Sequence, residues 1–140
     1  MNGAYRPLLV VFAVVIGMAL LYGWRNSNDA KEKIPWRKDL AKAKSEAAVA
    51  RKSVLVYFTA TWCGPCQSMK RQTWVDPRVE AALGRVIPLK IDVDEQPNVA
   101  RDFNVDGIPR LQLIRPDGSL GPARVGFISA DELLRWLPAT

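Results

Sequence analysis

A chain of 140 residues with a formal charge of +6, two cysteines and no histidine has room for one domain and a short appendage. Two thiols without histidine fall short of the roughly four Cys or His ligands that zinc and iron–sulfur sites require, which argues against a metal cofactor. The basic excess sits in the first 38 residues, as Arg6, Arg25, Lys31, Lys33, Arg37 and Lys38 against Asp29 and Glu32. It forms no stripe interleaved with aromatics, which argues against nucleic acid as a partner.

After a tail of residues 1–7, residues 8–24 carry no charge, and Arg6 and Arg25 bracket them. At about 1.5 Å per residue this run just spans a bilayer core. It has no polar face, as a buried helix of a soluble domain would. Tyr22 and Trp24 suit the membrane–water interface. A cleaved signal peptide is the rival reading. The run is longer than a usual signal core, and no small-x-small cleavage site follows it. The expectation is one uncleaved transmembrane anchor over 8–24, a polar linker over 25–35 and a folded domain over 36–140.

Within the domain, an alanine-rich stretch predicts a helix from Asp39 to Lys52, with Leu40, Ala43, Ala47 and Ala50 on its apolar stripe. Val54–Thr59 is β-branched and aromatic and predicts a buried strand. Ala60–Trp62 turn into a helix that starts at Cys63 and ends between Arg71 and Thr73. Asp76 and Pro77 read as an N-cap and first helical position, opening a short helix to Leu83. Val86–Val93 predicts a second strand, in which Pro88 demands an early or irregular position. A third short helix follows over Pro97–Phe103. Asp106–Pro109 break the chain, Leu111–Arg115 form a strand, and Pro116–Ser119 turn it back. Ala123–Phe127 are the returning strand. Ser129 and Glu132 form a capping box for a final helix, Leu133–Leu137. Strand–helix–strand gives a parallel pair and strand–turn–strand an antiparallel hairpin. The fold class is therefore α/β, a mixed sheet covered by helices.

Both cysteines fall in Trp62-Cys63-Gly64-Pro65-Cys66. At a helix start, unpaired N–H groups and the helix dipole favour a thiolate at Cys63. Cys66 lies three positions on along the same face, placed to resolve a mixed disulfide. A purely structural disulfide closes too small a loop to matter: about 2 kcal/mol for four residues against about 3 for fifteen. A two-thiolate Cu(I) site is the remaining metal alternative, supported only by ligand softness.

These residues resemble the thioredoxin superfamily over Trp36–Leu137. Trp62–Cys66 matches its active-site motif, and Gly107-Ile108-Pro109 its cis-proline loop. Thr73–Val79 and Val125-Gly126-Phe127 are similar to the C-terminal domain of DsbD-type thiol:disulfide interchange proteins. The Gly-Pro pair between the cysteines is closer to thioredoxin. The single span departs from the multi-span domain of the DsbD type. The resemblance implies a thioredoxin fold and a protein-disulfide reductase that needs no cofactor. Cys63 would attack, Cys66 would resolve, and Trp62, Gly64, Pro65, Ile108 and Pro109 would form the surface for substrate. Pro109 would be cis, and the Ile108 backbone would pair with an extended substrate strand. Partners would be protein thiols or disulfides and an upstream thiol donor. Thioredoxins, near about −270 mV, are reducing, unlike oxidants near about −120 mV. A copper carrier and a redox-inactive binding module are the alternatives.

One departure concerns the interior. Where thioredoxins carry a buried aspartate, this chain has Tyr57, while the lysine that partners it is retained as Lys90. On one reading an inward Lys90 lacks a carboxylate partner and both residues tune proton transfer at Cys66; on the other, Tyr57 fills core volume and Lys90 reaches solvent along its stem. Location is a further expectation. The positive-inside rule alone places the domain in the cytoplasm. The resemblance and the signal-like start place it on the periplasmic or extracytoplasmic side of the inner membrane.

Overall fold

The computed structural model describes residues 10–18 and 31–139. The chain divides into two units, Met1–Lys31 and Glu32–Thr140. In the first, residues 10–18 are helical (α1), with Val10, Phe12, Val14 and Met18 all exposed. Among the described residues no helix is long and apolar enough to cross a membrane. The structure thus holds only the central part of the predicted 8–24 helix. Its ends, the 1–7 tail and most of the linker lie outside the described residues.

The second unit is a four-stranded mixed sheet in the order β2-β1-β3-β4. Its strands are β1 (Val54–Thr59), β2 (Ile87–Asp92), β3 (Arg110–Ile114) and β4 (Leu120–Val125). β1 runs parallel to β2 and antiparallel to β3, and β3 pairs antiparallel with β4. β1 is central, and its first five residues are buried. Successive side chains alternate between faces. Val54, Val56 and Phe58 pack with Ala43, Ala47, Leu89, Ile91 and Ile114. Leu55 and Tyr57 pack on the other face with Met69, Trp74, Val79, Leu111 and Leu133. A strand covered on both faces reads as an uninterrupted apolar run, as this one does.

The helices of this unit are α2 (Leu40–Ala50), α3 (Gly64–Gln72), α4 (Pro77–Leu83), α5 (Pro97–Asp102) and α6 (Ala130–Trp136). α2 starts where Asp39 accepts from the Lys42 amide at 2.9 Å and stops where Arg51 turns left-handed at φ 53°. Asp76 caps α4 ahead of Pro77, and Ser129 and Glu132 form the reciprocal capping box of α6.

Pro88 takes the early-strand position that the sequence demands, second in β2, which is an edge strand. There the Ile87 amide points inward to the Ser53 carbonyl (2.9 Å), while the Lys90 amide points outward to Arg37 (2.9 Å). Pro88 shares the outward parity, so its missing N–H breaks no bond to β1. The returning strand runs from Leu120 to Val125, not from Ala123 to Phe127. The turn at Asp117–Ser119 closes early, with the Arg115 amide on the Ser119 carbonyl at 2.8 Å. The strand ends because Gly126 adopts φ 94° and donates its amide to Pro109 at 2.8 Å. Finally, Ile34, read as linker, is 7 % exposed and belongs to the core beside Trp36 and Trp74.

Candidate active site

The turn after β1 delivers Cys63 to the start of α3. Cys63 is the N-cap, in extended conformation, and the Cys66 amide donates to its sulfur at 3.2 Å. Gly64 and Pro65 occupy the first helical positions, where a missing proline N–H breaks no helical bond. Cys63 and Cys66 are joined in a disulfide, with Cα atoms 5.2 Å apart. Both sulfurs sit in an apolar setting of Ala60, Val93 and Ile108. Cys63 is 3 % exposed and Cys66 1 %. When the disulfide opens, the amides at the α3 start and its dipole face Cys63, stabilising a thiolate there.

The Ile108–Pro109 bond is cis. Ile108 packs against the cysteine pair, and with Trp62, Val93, Val105, Asp106 and Gly107 it lines a groove of about 270 Å³. Trp62 is 68 % exposed and held upright by its indole N–H, which donates to Asp94 at 2.8 Å. Gly107 comes close to β4: a Cβ there would meet Val125 Cγ1 at 3.1 Å, tight enough that the valine would have to shift. Nothing lies within 4 Å of a Cβ built at Gly64, so that position faces open space. The structure therefore brings Trp62, Cys63, Ile108 and Pro109 to one edge of the sheet, at the C-terminal end of β1.

Tyr57 and Lys90 lie on the inner side of the pair. Tyr57 is 2 % exposed, and its hydroxyl makes a long 3.5 Å contact to the Cys66 carbonyl. Burial pushes the phenol pKa above its ordinary value, Thr59 and Trp74 draw it partly back, and the Glu32 charge adds the smallest push upward. Its ring stands 5.7 Å from Trp36 and 4.9 Å from Trp74. The expectation of an unpartnered Lys90 is overturned. Its ammonium lies 2.9 Å from Glu32 Oε1 and 4.9 Å from the Trp36 ring centre. Trp36 Nε1 also donates to Glu32. The carboxylate missing from β1 is thus supplied by the first residue of the second unit, ahead of α2 and 58 residues from Lys90.

Sequence reasoning missed Glu32, Trp36, Trp74 and Asp94 as parts of the site. Glu32 sat in a polar, charged stretch that reads as linker. Asp94 is one of several acids after β2, and nothing local ties it to Trp62. The fold alone joins each pair.

A family described as Thioredoxin-like matches residues 35–116. The chain belongs to that family. Thioredoxin-like relatives include the thioredoxin of Rickettsia felis, 31 % identical over 94 residues, which span 67 % of this chain and 87 % of that protein. Among solved structures, a thioredoxin from Thermus thermophilus aligns with TM-score 0.65 and 26 % identity, covering 73 % of this chain and 82 % of that one. The oxidised C-terminal domain of DsbD from Neisseria meningitidis aligns with TM-score 0.58 and 28 % identity, covering 72 % and 95 %. With its cysteine pair at the α3 start, this thioredoxin-like chain is a thiol–disulfide oxidoreductase.

Proposed function

We propose that the chain is a membrane-anchored protein-disulfide reductase, tethered through residues 8–24 with its domain on the extracytoplasmic side of the inner membrane. The observation that carries the chemistry is the N-cap position of Cys63 beside the open groove of Trp62 and Ile108. An extended protein segment fits a groove of that kind, with its sulfur presented to Cys63. The Cys63 thiolate attacks one sulfur of a substrate disulfide, and the other leaves as a thiolate that takes up a proton. Cys66 then displaces the bound sulfur, closing the Cys63–Cys66 bond and releasing the second substrate thiol. An upstream dithiol returns two electrons to the pair.

The Gly64-Pro65 pair and the likeness to thioredoxins support the reducing direction. The uncharged 8–24 run and its flanking arginines support the anchor. The full chain, supplied with dithiothreitol, is expected to reduce insulin disulfides. Cys63→Ser should abolish turnover, and Cys66→Ser should accumulate mixed disulfides. A Cys63→Ser variant with undiminished reductase activity would refute the assignment. For location, a C-terminal alkaline phosphatase fusion should be active. An inactive fusion, together with an active cytoplasmic reporter, would place the domain inside.

A further inference from the structure

The groove beside the disulfide has an apolar body and a charged rim. Trp62, Val93, Val105 and Ile108 form its walls, and Val93 and Ile108 also pack on the cysteine pair. Of its lining residues only Asp106 is ionisable, and that side chain is 88 % exposed. Among the described residues its one cation within 4 Å is Arg110, at 3.8 Å. The Arg110 side chain is only 17 % exposed, and it donates to the Asn104 carbonyl and to Gln112 Oε1, each at 3.3 Å. Arg110 thus engages the loop from within and leaves the outer side of the Asp106 carboxylate to solvent. On the opposite wall Trp62 exposes its indole, whose N–H donates to Asp94 at 2.8 Å. A neutral N–H leaves the Asp94 carboxylate its charge. Among the described residues no Lys or Arg lies within 4 Å of Asp94.

A side chain that fits such a groove has an apolar stem and a cationic end. Lysine and arginine lay their methylene stems on apolar surface while the charge stays in water. The face of an exposed indole attracts the same cations. Carboxylates at the rim attract them too, and repel acidic residues. We propose that the groove selects protein disulfides that carry a lysine or arginine two residues from the attacked cysteine. The proposal rests on the reductase reading, in which Cys63 attacks the substrate sulfur. The spacing of two follows from an extended segment, whose alternate side chains point to one face. The substrate cysteine turned toward Cys63 and the basic residue turned into the groove share that face. The stem lies along Val93, Val105 and Ile108, and the cation sits between Asp106 and the Trp62 ring. Asp94, bonded to Trp62, adds charge of the same sign.

The sign of this preference is opposite to the one the whole chain would impose. A formal charge of +6 by itself attracts acidic segments. At physiological salt, exposed charges more than about 8 Å apart are largely screened, so a residue seated in the groove responds to the carboxylates at its rim. An exposed ion pair is worth about threefold in affinity, and like-charge repulsion a similar loss, which gives about tenfold between a basic and an acidic substrate.

The test uses the reduced full chain and a set of cysteine peptides that differ only at the positions two residues before and after the cysteine, which hold Lys, Gln or Glu. Each peptide carries a thiopyridyl group on its sulfur. The Cys63 thiolate attacks the peptide sulfur and bonds to it. The bond between the peptide and thiopyridyl sulfurs breaks, and coloured thiopyridone leaves with the electron pair and takes up a proton. Each second-order rate constant is divided by that of dithiothreitol with the same peptide, which removes the intrinsic reactivity of the disulfide. The quotients should rank Lys over Gln over Glu, about tenfold from first to last at low salt. That ratio should shrink toward one at about 1 M salt. Asp106→Asn should lower the Lys-to-Glu ratio to about threefold, and Asp106→Lys should reverse the order. The readout is a ratio within one protein, so a variant that reacts more slowly with every peptide still reports it. A wild-type ratio of one, a preference for Glu, or a Lys preference that neither Asp106 variant alters would overturn the proposal. If no peptide, the Gln one included, reacts faster with the wild-type chain than with Cys63→Ser, the reductase reading fails, and this inference fails with it.

Discussion

The two sides of the Cys63–Cys66 disulfide are built differently. The outer side is made of short contiguous motifs: Trp62–Cys66 at the α3 start and Gly107–Pro109 before β3. Its one aromatic, Trp62, stands exposed and pinned by a single bond to Asp94. The inner side is made of single residues from distant places. Tyr57 comes from β1, Trp74 from the chain after α3, Lys90 from β2, and Trp36 and Glu32 from the segment before α2. The outer side meets substrate and needs access. The inner side packs Tyr57 and Trp74 into the core, with Glu32 and Lys90 at its partly exposed rim, and needs complete packing. Loss of a side chain should therefore appear as lost turnover on the outside and as lost stability on the inside.

Trp74→Ala is the largest test of that division. Trp74 is 1 % exposed and touches both Trp36, edge-on at 5.1 Å, and Tyr57. Its removal should cost about 3–5 kcal/mol, read as a lowered midpoint in urea unfolding. Insulin reduction by the fraction still folded should fall much less. A Trp74→Ala protein of wild-type stability would erase the contrast between the two sides.

Trp62→Ala should show the opposite pattern. Its unfolding midpoint should stay within about 0.5 kcal/mol of wild type, as for an exposed residue. Its kcat/KM for a protein disulfide should drop about tenfold, about 1.4 kcal/mol of transition-state binding. An Asp94→Asn variant, which leaves an acceptor for the indole, should lose less. If Trp62→Ala destabilises the fold and spares turnover, the outer side is structural as well.

The smallest effect is a pH dependence that belongs to the inner side alone. The Tyr57 pKa in the folded chain lies above the model-compound value of 10.0, first because of burial. Below that value both folded and unfolded states hold the proton, and the contribution is fully present. Above it the unfolded chain releases the proton while the folded chain keeps it, so stability falls as pH rises through the folded pKa. Urea midpoints should therefore decline above about pH 10, and Tyr57→Phe should decline less steeply. Equal alkaline slopes for the two proteins would show that Tyr57 is not the group responsible.

How much of this was legible in the sequence follows from the distances along the chain. β1 reads directly from Val54–Thr59 because a strand covered on both faces needs no polar position. The starts of α4 and α6 read from Asp76-Pro77 and from Ser129 with Glu132, because a cap is satisfied within three residues. The cysteine pair reads because a dithiol and a helix start are local chemistry. Pro88 reads as an early strand position, which it holds as the second residue of β2, but that β2 lies at the edge is not legible, since a sequence does not say which strand lies there. β4 starts three residues ahead of the Ala123 start that the sequence pattern marks, because the turn's hydrogen bonds, and not apolar pattern, decide where pairing begins. Only the tertiary structure decided the inner side. Register sets Tyr57 opposite Lys90, and the chain before α2 folds back to bury Ile34 and to place Glu32 on Lys90. A charged residue in a polar stretch carries no local mark of a partner 58 positions away. Local propensity and capping are short-range and act within a few residues, whereas an ion pair between distant segments exists only once the sheet has brought them together.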